Sequence, residues 1–310
     1  MRRELQGLID NDTFETAALP AGRKPNTAKW VYSWKANHLG EFPRGKAHLV
    51  GGGYRQREAL DYLDTFISTP LPSSIRMIVT SALQRYWNLN HLDIEQALVQ
   101  SRIDREIFVK FPDRCRNMWN IVMHLINVLY GFRQFPRVFS HFLMKKLMEF
   151  GLERCAVDPC ILRVVSSGMK EVSLIIGIHV DHLIVTGRAD ICKSLRELLE
   201  KSFPKKNIDT LSYYLGCGYT RDYEKKTVHV SQTACIDRLV NRFAVPTTSS
   251  TTPASPNTVL SLGQEVDEQC KQPYRELVGG LLRIANATRR DISNAIRDVA
   301  RHAHDSSLQH

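Results

Sequence analysis

The sequence has no run of about 18 apolar residues of the kind that crosses a bilayer. Its longest candidate, Val172 to Val185, is interrupted by His179, Asp181 and His182. There is no Cys-x-x-Cys pair either. The seven cysteines stand apart at positions 115, 155, 160, 192, 217, 235 and 270, an odd number that supports neither a disulfide framework nor a four-cysteine zinc site. Gly51-Gly52-Gly53 is present without the G-x-x-x-x-G-K-[ST] of a phosphate loop, and reads as a flexible return. G-x-S-x-G and H-E-x-x-H are missing, which removes two common hydrolase signatures. No apolar segment follows Met1-Arg2-Arg3-Glu4, so no signal peptide is expected. The expectation is a soluble intracellular chain, cytoplasmic or nuclear.

What is present is enough to fold. The 310 residues are 43% hydrophobic and 24% charged, which suits a chain with a real core and about two domains. Lys and Arg number 42 against 32 Asp and Glu, a formal charge of +10. A polyanionic partner fits that balance, because cations clustered on phosphates release condensed counterions, although many ordinary basic proteins share it.

Several segments have a clear period. Trp30 to Lys35 and Ala47 to Val50 read as the arms of a hairpin turning at Asn37 to Glu41, with Lys29, Lys35, Arg44, Lys46, Arg55 and Arg57 on it. That face is either solvated or phosphate-binding. Ile75, Ile78, Val79, Ala82, Leu83 and Tyr86 form one buried helical stripe behind a Ser73-Ser74 cap. A second helix spans about 136–150 and should stop at Gly151. Val172 to Ile178 and Leu183 to Gly187 are two apolar strands around the polar tip His179-Val180-Asp181-His182. Residues 188–203 then read as a helix, and 247–272 as a Ser/Thr/Pro-rich linker, with a helical segment from Tyr274 to Ala303 beyond it.

Two carboxylates stand in apolar surroundings: Asp93 in the strand-like His91-Leu92-Asp93-Ile94, and Asp181 at the hairpin tip. Brought together on a sheet they could hold hard cations such as Mg²⁺; otherwise each is an unrelated strand-end aspartate. A transition-metal site of His179, Asp181 and His182 needs a sharp bend, since 179 and 181 share a strand face that 182 does not.

The motifs, in order, resemble the reverse transcriptase of copia-type retrotransposons with long terminal repeats. Lys29-Trp30-Val31-Tyr32 is similar to the family's opening K-W-V-[FY]. Lys46-Ala47-His48-Leu49-Val50, with Gln56-Arg57-Glu58 and Asp61-Tyr62, is similar to K-A-R-L-V followed by Q-R-E-G-x-D-Y. Leu92-Asp93-Ile94 resembles M-D-V, and Leu129-Tyr130-Gly131-Phe132-Arg133-Gln134-Phe135-Pro136-Arg137 resembles L-Y-G-L-[KR]-Q-x-P-R. Asp158-Pro159-Cys160, Pro273-Tyr274-Arg275-Glu276-Leu277-Val278-Gly279 and Thr288-Arg289-Arg290-Asp291-Ile292 follow the later D-P-C, P-Y-R-x-L-V-G and T-R-P-D-I, the last except at Arg290.

The resemblance implies an α+β right-hand polymerase: fingers from the early hairpin, a palm with an antiparallel sheet, and a helical thumb after about residue 188. It implies a reverse transcriptase domain over 11–246, the linker over 247–272, and a helical connection remnant over 273–310, with the RNase H and integrase regions of the polyprotein missing. It also implies an RNA template, a DNA primer, deoxynucleoside triphosphates, no membrane, and Mg²⁺ or Mn²⁺ as cofactor. Asp93 and Asp181 would be metal ligands, Lys46 would neutralise triphosphate charge, and Gln134 would lie along the nucleotide pocket.

The departures fall on the chemistry. Y-V-D-D stands here as His179-Val180-Asp181-His182, so an imidazole at His182 replaces the second hairpin carboxylate. Leu98 stands where the family has an aromatic under the nucleotide sugar, Glu95 replaces a lysine, and His48 replaces the fingers arginine, exchanging a bidentate phosphate fork for a single ring. The expectation is a reverse transcriptase-like polypeptide with impaired nucleotidyl transfer. The alternative is a non-catalytic nucleic-acid-binding module.

Overall fold

The computed structural model describes residues 1–35, 44–57, 62, 64–94, 101–103, 105–112, 121–166, 171–203, 206–245, 251–254, 260 and 268–304. The hairpin turn over 37–41, Glu95, Leu98 and most of the 247–272 segment lie outside them. In chain order the elements are α1 (Arg2–Asp10), β1 (Phe14–Ala18), β2 (Ala28–Lys35), β3 (Arg44–Gly51), α2 (Pro72–Gln84), β4 (Leu89–Ile94), β5 (Phe108–Val109) and β6 (Ile121–Leu125). They continue as α3 (Phe135–Glu149), β7 (Glu153–Arg154), β8 (Ile161–Ser166), β9 (Glu171–His179), β10 (His182–Gly187), α4 (Ala189–Ser202) and β11 (Lys206–Thr210). The last are β12 (Tyr213–Tyr214), β13 (Cys217–Asp222), β14 (Thr227–Ser231), α5 (Thr233–Arg242), α6 (Glu268–Ala287) and α7 (Ser293–Ala300). This mixture of helices and antiparallel strand pairs is an α+β fold. The chain divides into two units, Met1–Leu71 with Leu92–Ile208, and Pro72–His91 with Asp209–His310.

The first unit is built on the strands β10, β9, β8 and β7, neighbours in that order, with residues 92–94 of β4 beside β10. Residues 173–178 of β9 are all buried, so this strand is covered on both faces and the apolar run in the sequence has its explanation. Leu174, Ile176 and Ile178 of β9 meet Leu183 and Val185 of β10, Phe139, Leu143 and Leu147 of α3, and Leu195 and Leu199 of α4 in one core. Burial of each such side chain contributes roughly 1.5–3 kcal/mol. Helix α3 ends as its sequence directs. Gly151 has φ +98°, its N–H donates to the Met148 carbonyl at 2.9 Å and the Leu152 N–H to the Leu147 carbonyl at 3.2 Å, closing the C-terminus with a left-handed cap.

A smaller core in the same unit joins Leu8 of α1, Leu49 of β3, Met123 and Leu125 of β6, Leu129 and Phe132. The three glycines 51–53 are not a flexible return. The Gly51 N–H donates to the Tyr130 carbonyl at 2.6 Å, a side chain at Gly51 would stand 2.6 Å from the Phe132 ring, and one at Gly53 would run into the Gly131 carbonyl. Glycine is required there because two backbone segments lie against each other.

In the second unit α2 begins at Pro72, so Ser73 and Ser74 lie inside its first turn instead of capping it; proline suits that position because a first-turn N–H has no helical acceptor. Arg221 of β13 donates to the Trp87 carbonyl at 2.5 Å, and Arg76 of α2 reaches the carbonyls of Asn286 and Ala287. The helical stretch read over 274–303 starts earlier, at Glu268, and is broken after Ala287. There Thr288 donates its hydroxyl to Gln232 at 2.7 Å and Arg289 forks onto Asp291 at 2.7–3.1 Å. Val278, Ile284, Ala285 and Ile296 bury the apolar side of α6 and α7.

Candidate metal centre

The site grows from the β9–β10 hairpin. His179 pairs with His182 across a two-residue tip, and Val180 at its first position has φ +57°. Tips of this kind favour Gly, Asn or Asp there; a β-branched residue with left-handed backbone is strained by about 1–3 kcal/mol. The arms hold it, and the neighbouring strand helps: the Ile94 N–H of β4 donates to the Asp181 carbonyl at 3.2 Å. That bond sets Asp93 beside the tip.

Asp93, Asp181 and His182 come together, each offering a ligand atom within 4.8 Å of the others. His182 lies between the two carboxylates, with Nδ1 3.6 Å from Asp93 Oδ1 and Nε2 3.7 Å from Asp181 Oδ1. Both separations are too long for hydrogen bonds. The side chains of Asp93, Asp181 and His182 are 34%, 32% and 41% exposed, so an ion can reach them from solvent. His179 is not part of the group. Burial, with His182 nearby adding to it, holds its imidazole below the usual histidine range, and no three-ligand set of His179, Asp181 and His182 forms among the described residues.

The other sequence candidates stand elsewhere. Lys46 is on β3 opposite Ser33 of β2, and its side chain is outside the described set, as is all of Leu98. His48 turns to α1: its Nδ1 lies 3.1 Å from Glu4 Oε1, and its ring is 5.4 Å from that of Tyr130. Gln134 is fully buried. It accepts from Gln56 Nε2 at 2.9 Å, while Gln56 Oε1 takes the Arg133 N–H at 2.8 Å. Both residues tie segments of the unit together.

Two further features involve residues of the D-P-C motif and of the basic hairpin. Asp158 is buried, and its carboxylate accepts the N–H groups of Cys160 at 3.0 Å and Leu71 at 2.9 Å. Burial, then the Asp158 charge, pushes the Cys160 thiol up to about 11. A surface cavity of about 220 Å³ is lined by Thr27, Lys29, Gly52, Tyr54, Arg55 and Lys110 among others, with the Arg55 guanidinium 5.7 Å from the Tyr54 ring. The sequence signal for it was the scatter of basic residues on the hairpin, and Lys110 could not be assigned to that cluster by spacing.

The fold and this group define an α+β domain with a carboxylate–imidazole cluster at a strained sheet hairpin. Residues 11–256 match the family described as Reverse transcriptase (RNA-dependent DNA polymerase), and the chain belongs to that family. It is similar over its whole length to retrovirus-related Pol polyproteins from transposon RE1 of Arabidopsis thaliana, at 29% identity, and from transposon TNT 1-94 of Nicotiana tabacum, at 26%. A third relative, the Pol polyprotein from transposon RE2 of Arabidopsis thaliana, is 28% identical. The chain spans 21–24% of the length of these relatives.

The family implies a pair of divalent ions, and the donors present test that implication. A pair of Mg²⁺ ions demands oxygen ligands in near-octahedral geometry. Two carboxylates remain, and an imidazole occupies the space between them. This donor set does not fit two Mg²⁺ ions.

Proposed function

We propose that this chain is the reverse transcriptase-like domain of a transposon Pol polyprotein in which nucleotidyl transfer is impaired. The β2–β3 hairpin corresponds to fingers, the sheet bearing Asp93 and Asp181 to the palm, and the helical segments after about residue 188 to the thumb. The observation that carries the reading is the His182 ring lying between Asp93 and Asp181. A clamp on the attacking and leaving oxygens draws its stabilisation from preorganised charge, and an imidazole in place of a carboxylate removes part of it. Primer extension on an RNA template with Mg²⁺ tests this. Wild type should give no product above background, and His182→Asp should raise incorporation by on the order of 100-fold. Robust wild-type synthesis would refute the impairment.

The second reading, a nucleic-acid-binding module without synthesis, is favoured by the cavity with Lys29, Arg55 and Lys110 around the exposed Tyr54 ring. Cations that track a phosphate backbone beside an aromatic on which bases stack suit a single strand. Tyr54→Ala should weaken binding of a single-stranded RNA by about 1–3 kcal/mol in fluorescence anisotropy. An unchanged affinity would remove this reading.

A further inference from the structure

We infer that Asp93, Asp181 and His182 form a mononuclear site for a borderline divalent transition ion, zinc in preference to magnesium. The change at the hairpin tip has thus altered which metal the site takes. One nitrogen and two oxygens are a zinc-type donor set, three protein ligands with one position left for water. Magnesium gains nothing from the imidazole, whereas an imidazole nitrogen suits zinc; along the first-row divalent series affinity rises to copper and falls back at zinc.

The geometry is close to what one ion needs. Bonds of about 2.0–2.1 Å set tetrahedral ligand atoms roughly 3.3 Å apart. Here the ligand atoms lie within 4.8 Å of one another; Nδ1 of His182 faces Asp93 and Nε2 faces Asp181, so one ring nitrogen must turn to the ion as both carboxylates close on it. The backbone is already held, by the His179–His182 pair and by the Ile94 N–H on the Asp181 carbonyl. Charge points the same way. Among the described residues neither aspartate is ion-paired with lysine or arginine, so a dication would meet two carboxylates whose charge no such side chain offsets. The site takes its ion whether or not the domain grips nucleic acid.

Calorimetric titration of the full chain with ZnCl₂ and with MgCl₂, beside His182→Ala, His182→Asp and Asp93→Asn, tests the site. Co²⁺ absorption serves as a spectroscopic substitute for zinc, and circular dichroism checks that each variant is folded. Wild type should bind one Zn²⁺ more than His182→Ala, about tenfold or more tighter than it binds Mg²⁺. The Co²⁺ ligand-field bands should be lost in Asp93→Asn, and His182→Asp should weaken Zn²⁺ by about tenfold or more. If His182→Ala and His182→Asp both keep the wild-type zinc stoichiometry and affinity, or if Mg²⁺ binds wild type as tightly as Zn²⁺, the inference is overturned. Loss of RNA binding would leave all these readouts unmoved, which separates this site from the domain's nucleic-acid function.

Discussion

At the scale of single residues, the hairpin tip carries both strain and chemistry. Val180 holds left-handed backbone that asparagine adopts more readily. Val180→Asn should therefore raise the unfolding free energy by about 1 kcal/mol, read from the urea midpoint at constant slope; a decrease would mean that the valine side chain contributes more by packing than its backbone costs. Asp158 is the opposite case, a buried carboxylate that accepts two backbone N–H groups. Hydrogen bonds to a charged group contribute about 1.5–3 kcal/mol each, so Asp158→Ala should destabilise by on the order of 3 kcal/mol. The thiol of Cys160, raised to about 11, stays protonated at neutral pH. At pH 8 it should label with iodoacetamide on the order of 100-fold more slowly than free cysteine, because the thiolate is the nucleophile. Labelling at the free-cysteine rate would show that the site opens readily. The sequence exposed Asp93 and Asp181 as residues worth pairing, since each is a carboxylate amid apolar neighbours, and the family resemblance singled out His182. It could not expose the Glu4–His48 or Gln56–Gln134 contacts, where two ordinary polar residues far apart in the chain find each other only after folding.

At the scale of elements, helix α3 shows which signals are local and which are not. Its start near Pro136 and its stop at Gly151 are written in adjacent residues, proline in the first turn and a glycine free to take positive φ. Gly151→Ala has open space around the new methyl group and should cost only the backbone term, about 1–2 kcal/mol. Phe139→Ala on the same helix empties a fully buried position and should cost about 3–5 kcal/mol. Equal losses in thermal unfolding would contradict this separation of backbone and packing. The β9–β10 hairpin was legible for the same local reason, an apolar run on each side of a polar tip. The role of Gly51 to Gly53 was hidden, because it depends on a backbone neighbour 78 residues away, Gly131 beside Gly53, that no local pattern names.

At the scale of the molecule, the excess of basic over acidic residues meets a cavity ringed by Lys29, Arg55 and Lys110. A domain that keeps its phosphate grip while its carboxylate cluster has been altered should bind template–primer in a strongly salt-dependent way, with log affinity falling by about 0.9 per phosphate contacted for each decade of salt. Binding and synthesis can then be separated on one complex. The most direct measurement is single-turnover primer extension, in Mg²⁺ at low salt, on wild-type protein whose full occupancy of an RNA–DNA template–primer has first been established by anisotropy. The saturated complex should add no template-directed nucleotide above background. Efficient incorporation from that same complex would contradict the impairment.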